Sequence, residues 1–191
     1  MILVIDTSSS TAVVVELNQS VNEMHCSSRS DVLMPALQRV VRLSTDVEKI
    51  AVAVGPGSFT GLRVGVSFAL GIAVGRRIPI VPLGSLELQA ARSDEPVTAV
   101  VEAGRGRFYF KAGDGPHGLG SPAEIPKALE LVGNLSDEGS AALTAAGHGL
   151  ISAGRLRPTG AAAQKLLETA PEVAYGSLEI EYMQTFSART G

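Results

Sequence analysis

Apolar and polar positions along the chain fall into short blocks from the first residue onward. Ile2–Ile5 is an apolar run of strand length that meets an acid at Asp6, and Thr7–Thr11 is a polar turn. Ala12–Leu17, rich in β-branched residues, predicts a second strand, and Asn18-Gln19-Ser20 turns the chain into a short third strand over Val21–Cys26. Ser30 or Asp31 can cap a helix from about Val32 to Leu43, with Leu33, Leu37, Val40 and Val41 on one face. Lys49–Val54 reads as a buried strand that runs into Gly55-Pro56-Gly57-Ser58-Phe59-Thr60-Gly61. A long helix from Leu62 to about Arg76, a strand over Ile78–Pro82 and a helical link at Leu86–Arg92 follow.

After Asp94-Glu95-Pro96 the pattern starts again. Thr98-Ala99-Val100-Val101-Glu102 repeats the form of Ile2-Leu3-Val4-Ile5-Asp6, an apolar strand with an acid as its fifth residue. Each is followed by a five-residue turn, Ala103–Arg107 in the second case, and then by a β-rich strand, here Phe108–Lys111. One such opening in each half-chain points to duplication. A helix near Glu124–Val132, a strand near Ala141–Ala146, a turn at Gly147-His148-Gly149 and a helix near Ala161–Thr169 complete the second half. The sequence therefore predicts an α/β fold of two small domains, residues 1–94 and a smaller 95–191, each opening with a β-hairpin.

The Gly55–Gly61 loop joins a buried strand to a helix, so its amides and the helix N-terminus can meet an anion. It lacks the Gly-Lys-Ser/Thr of a P-loop, its glycines are one residue too far apart for the dinucleotide fingerprint, and the glycines around Ser58 miss the nucleophile-elbow spacing. A tight turn with Ser58 or Thr60 as helix cap accounts for it equally well. The helix behind it carries two small-residue stripes: Gly61, Gly65, Ala69 and Ala73, and Ser67, Gly71 and Gly75. Glycine inside a helix costs about 1 kcal/mol relative to alanine, so the stripes imply close approach by two neighbours. The chain's own sheet accounts for one, and another chain is the candidate for the other.

Composition narrows the classes. Of 191 residues, 45% are hydrophobic and 18% charged, with 21 glycines, one cysteine and no tryptophan. That excludes a disordered chain, an internal disulfide and a cysteine-based zinc site. A net charge of −3 disfavours bulk electrostatic capture of nucleic acid. The start has no basic region before its apolar run, and Leu62–Val74 falls short of a bilayer span. The expectation is a cytoplasmic protein with no membrane contact.

Catalytic groups are sparse. His25, His117 and His148 form no metal-binding pair, and His148, between two glycines, is expected at the surface. His25 and Cys26 point to opposite faces of a strand and make no dyad, leaving Cys26 as a buried or half-buried thiol. Asp6, Thr7 and Ser8 at one hairpin, and Glu102 and Gly104 at the other, have the outline of two facing phosphate turns; ordinary turn chemistry explains the hydroxyls as well. Arg105 and Arg107 beside Phe108-Tyr109-Phe110 suit an anion, solvent or RNA.

Ile2-Leu3-Val4-Ile5-Asp6-Thr7-Ser8, together with Gly55-Pro56-Gly57-Ser58-Phe59-Thr60-Gly61-Leu62-Arg63-Val64-Gly65, resembles the TsaB (YeaZ-type) family. Supporting matches are Glu102-Ala103-Gly104-Arg105-Gly106, Gly147-His148-Gly149, a Pro158–Ala170 helix and a tail at Glu179–Met183. The resemblance implies a duplicated actin-like ATPase fold (sugar kinase/Hsp70/actin, ribonuclease H-like) with a trimmed second domain. It also implies a non-catalytic subunit that binds and supports a TsaD-like catalytic paralogue. Together they form N6-threonylcarbamoyladenosine at position 37 of transfer RNAs reading ANN codons. A TsaE-like ATPase joins the pair, ATP and metal sit on the partner subunits, and transfer RNA is met indirectly through the complex. A homodimer is the expected alternative without the partner. First-domain helices would carry the contact, with Gly61, Gly65, Phe68, Ala69, Ile72, Leu33 and Leu37 as candidates. Asp6, Thr7, Ser8, Gly55, Gly57, Ser58, Glu102 and Gly104 are the candidate phosphate or nucleotide residues. The competing reading is an independent ATP-dependent kinase or a glycoprotease-like peptidase of the same fold.

Overall fold

A computed structural model describes residues 1–43 and 46–182. The tail match at Glu179–Met183 ends just outside them. Strands β1 (Ile2–Asp6), β2 (Thr11–Leu17) and β3 (Val21–Ser27) form an antiparallel meander. Helix α1 (Ser30–Leu43) then crosses to β4 (Lys49–Gly55), which lies parallel to β1. Helix α2 (Phe59–Arg76) leads to β5 (Ile80–Gly84), parallel to β4, and α3 (Ser85–Ala90) ends the half. The strand order is β3-β2-β1-β4-β5. Parallel crossovers need helices on the sheet faces, so the central strands are buried on both sides and read as continuous apolar runs.

The second sheet repeats this plan. It contains β6 (Thr98–Gly104), β7 (Arg107–Ala112), β8 (His117–Gly120) and β9 (Leu131–Val132), in the order β8-β7-β6-β9 with the same strand senses. Helix α4 (Asp137–Ala145) follows β9 as α2 follows β4, and a single parallel bridge from Leu131 to Leu150 stands where β5 stands in the first sheet. Asp6 pairs with Val13 and Glu102 with Phe108, so the two acids hold equivalent positions. The fold is the duplicated actin-like, ribonuclease H-like α/β fold.

Two elements of the second half differ from expectation. The expected helix at Glu124–Val132 is a 3-10 turn at Pro122–Glu124, an extended stretch and β9. Ser121 and Glu124 close a capping box, and Pro126 then disfavours helical backbone at Ile125. The expected strand at Ala141–Ala146 is instead the body of α4. Ser136 caps it by accepting from Gly139 N at 3.0 Å, and the alanines there are helix formers. His148 is buried rather than at the surface, with Nε2 2.7 Å from the Pro122 carbonyl.

Alternation along each strand sorts the core. Leu3, Ile5, Val14 and Val52 face α1 and α2, with Leu33, Leu37, Val66, Ala69 and Ala73. Val4, Val13, Val15 and Val81 face the other way, onto Leu88 of α3 and onto Ala162 and Ala163 of α5 (Thr159–Leu167). The last helix thus returns to the first sheet. Helix α3 serves both sheets, since its Leu86 packs with Ala99, Val101 and Tyr109 of the second.

Candidate functional site

The two hairpin turns and the signature loop meet at one end of both sheets. Strand β4 ends at Gly55, whose φ of +119° is open only to glycine, and a cis bond to Pro56 follows. The loop then folds onto the first hairpin turn. Ser58 N donates to the Ser8 carbonyl at 2.7 Å, and the Thr7 hydroxyl donates to the Gly61 carbonyl at 2.7 Å. Ser58 Oγ accepts from Gly61 N at 3.2 Å and caps α2. A Cβ at Gly57 would overlap the Ser8 carbonyl, one at Gly61 the Thr7 carbonyl, and one at Gly65 the Thr7 hydroxyl. Gly57 and Gly61 are therefore explained by backbone packed on backbone and Gly65 by the Thr7 side chain, and the Ser58 amide is engaged within the chain.

Asp6 is 1% exposed. Its Oδ1 accepts from Ser8 N at 2.9 Å, and Oδ2 has no hydrogen-bond partner among the described residues. Burial pushes the carboxyl pKa up, against the opposing hydrogen bonds of Ser8 and the charge of Arg92. The carboxyl lies out of contact with solvent at the end of β1. Its counterpart Glu102 is partly exposed, and its carboxylate lies on the N-terminus of α4. Oε1 accepts from Ser136 Oγ at 2.5 Å and Ser136 N at 3.2 Å, while Oε2 accepts from Ser10 Oγ at 3.3 Å. The positive end of the helix already holds an anion, supplied by the chain itself. Beside it opens a cavity of about 430 Å³ lined by Glu102, Arg105, Arg107, Phe108 and Glu138 among others. Gly104, Arg105 and Gly106 all have positive φ there, which makes a tight turn.

The structure thus brings Asp6, Thr7, Ser8, Gly57, Ser58 and Gly61 into one packed seam, and joins it to Glu102 through Ser10. Gly104 lies at the neighbouring turn, and Gly55 lies against the backbone of Glu181, 2.6 Å from the place a Cβ would take.

The candidate contact residues divide by burial. Leu33, Leu37, Gly61, Gly65 and Ala69 are buried in the chain's own core, because the Gly61-Gly65-Ala69-Ala73 stripe is the one that packs on the sheet. Of the seven, only Phe68 and Ile72 retain surface. The outward stripe is Ser67, Gly71 and Gly75, and a Cβ at Gly71 or Gly75 meets nothing within 4 Å. Val74 is 50% exposed on the same helix, with Phe59 at 47% and Val32 of α1 at 43%. By length and composition α2 is apolar enough to cross a membrane; here its inner side is buried on the sheet. Sequence reasoning did not single out Val32, Phe59 or Val74. For Phe59 and Val74 the reason is that α2 is apolar on all sides and has no single hydrophobic face to point outward, so periodicity carried no signal.

A family described as TsaD, tRNA N6-adenosine threonylcarbamoyltransferase, matches residues 20–120, just over half of the chain. The tRNA threonylcarbamoyladenosine biosynthesis protein TsaB of Haemophilus influenzae is 30% identical over 122 residues, covering 57% of this chain and 52% of that protein. TsaB of Bacillus subtilis is 43% identical over 67 residues, covering 34% and 29%. The chain spans about half the length, or less, of the curated relatives it matches. Among solved structures, a Pseudomonas aeruginosa protein described as similar to peptidase YEAZ superposes with a TM-score of 0.70 at 18% identity. That match covers 96% of this chain and 99% of the other. YeaZ from the same organism gives 0.54 at 21% identity, covering 65% and 69%. Both share the fold.

Proposed function

The chain belongs to the family described as TsaD, tRNA N6-adenosine threonylcarbamoyltransferase, and from that membership and its likeness to proteins named TsaB we propose a TsaB-like role in threonylcarbamoyladenosine formation on transfer RNA. In this reading it is a non-catalytic subunit that docks on a TsaD-like catalytic partner. A TsaE-like ATPase acts on the pair, transfer RNA is met through the complex, and this chain carries no cofactor of its own. Where the partner is absent, the same surface serves a homodimer.

The observation that carries the docking is the outer face of α2. Gly71 and Gly75 weaken the helix by about 1 kcal/mol each relative to alanine, yet nothing among the described residues uses the space they leave. With Val74 and Phe59 exposed on the same helix and Val32 on its neighbour α1, the surface is apolar and lets a second helix approach closely. Burial of Asp6 and occupation of the α4 N-terminus by Glu102 support placing the chemistry on the partner. An independent kinase would need a carboxylate open to its cleft as base and a helix N-terminus free for phosphate.

The test is reconstitution. Modified transfer RNA should form when this chain, a TsaD-like subunit, a TsaE-like ATPase, ATP and the threonylcarbamoyl donor are combined, and fall to background when this chain alone is omitted. ATP turnover by the isolated chain, lost in Glu102→Gln, would favour the kinase instead.

A further inference from the structure

After α5 the chain returns to the first half as an extended strap. Val173 N donates to the Ile80 carbonyl at 3.0 Å, and the Tyr175 hydroxyl lies 3.2 Å from the Ala73 and 2.9 Å from the Ile78 carbonyl. Leu178 and Ile180 pack on the first core, and Glu181 N donates to the Val54 carbonyl at 2.8 Å. Tyr182 then settles on the first turn of α2. Its ring centroid is 5.4 Å from that of Phe59, and its hydroxyl accepts from Arg63 Nε at 3.1 Å. The end of the strap thereby covers the entry to the signature helix.

One side-chain contact ties this end to the second half. Glu181 Oε1 lies 3.1 Å from Nδ1 of His117 on β8, and Nε2 of the same ring lies 2.9 Å from Glu87 Oε1 on α3. Glu87 also accepts from Lys111 Nζ of β7 at 2.8 Å. An ionised carboxylate oxygen only accepts, and a neutral imidazole has a single N–H, so both contacts are satisfied together only by the imidazolium.

We propose that His117 is a protonation-dependent latch that holds the C-terminal strap over the first turn of α2. Loss of the ring proton to solvent leaves one N–H for two carboxylates and sets a nitrogen lone pair against a carboxylate oxygen. Glu87 keeps its bond to Lys111, whereas no other side-chain bond holds the Glu181 carboxylate among the described contacts, so the strap is the side released. Burial alone would lower the ring's pKa, but the bonds and charges of Glu87 and Glu181 outweigh it and hold it above the ordinary 6.5. Burial likewise acts upward on Glu87, yet Lys111 and His117 hold it down, so it stays charged throughout. Because the folded-state pKa of His117 is raised, the latch is complete below about pH 6.5 and is lost as pH rises through the raised value. The latch stands whether or not a partner docks on α2.

The test uses the full chain, with the His117 ring followed by NMR from pH 5.5 to 8.5 and the Glu181 amide by hydrogen exchange corrected for its intrinsic pH dependence. His117 should titrate above 6.5, and protection at Glu181 should fall several-fold through the same midpoint while that of Ile50, in the core, holds. In Glu181→Gln, at an exposed position, the midpoint should move down and the Glu181-site protection should become low and independent of pH. A His117 midpoint at or below 6.5, or flat wild-type protection at Glu181 across the titration, overturns the proposal.

Discussion

Ser10 of the first hairpin turn donates to the carboxylate of Glu102 in the second half at 3.3 Å, while the other oxygen of that carboxylate accepts from Ser136 at the head of α4. Two positions related by the internal duplication, Asp6 and Glu102, have thus taken different structural tasks. One is buried at the end of β1, and the other clasps the second half to the first.

Removing the clasp should cost stability without disturbing either sheet. Glu102→Ala strips α4 of its anion and takes the acceptor from the Ser136 N–H and O–H, an expected loss of about 1–3 kcal/mol in urea unfolding. Glu102→Gln keeps a neutral acceptor and should lose less.

The two glycine stripes should answer to alanine with opposite signs. Gly65→Ala drives a methyl into the Thr7 side chain and should destabilise by about 1–3 kcal/mol, as overpacking does. Gly71→Ala meets open space on the same helix and should stabilise by about 0.5–1 kcal/mol. Thermal unfolding of the two variants, measured side by side, checks both signs.

The raised pKa of Asp6 fixes a direction for the pH dependence of stability. The folded state takes up the proton more readily than the unfolded state, so between the unfolded pKa near 3.8 and the raised folded value Asp6 contributes a loss of stability as pH rises. Asp6→Asn removes that slope. The stability of the variant relative to the native chain should increase from pH 4 to pH 7 in parallel urea titrations.

Legibility in the sequence followed how far apart the deciding contacts lie. The hairpin repeat was readable because Ile2–Ile5 and Thr98–Val101 are apolar on both faces and end in acids at equivalent positions. Residues 124–146 misled because Pro126 breaks a helical apolar pattern and because a run of alanine and leucine fits strand or helix until Ser136 is seen to cap it. Both small-residue stripes of α2 were visible; which one faces inward depends on Thr7, 54 residues before the Gly61 carbonyl it bonds. The strap latch had no local signal, since His117 meets Glu87 and Glu181 across 30 and 64 residues.

The docking face of α2 is tested most directly by measuring the affinity of the chain for a TsaD-like subunit by calorimetry, with Gly71→Leu as the variant. A leucine there has room in the isolated chain, so its melting temperature should stay near that of the native protein. The account predicts a native complex at micromolar affinity or tighter, weakened at least about tenfold by the leucine, or about 1.4 kcal/mol. Equal affinity of the two proteins, or no native complex at micromolar concentration, would contradict it.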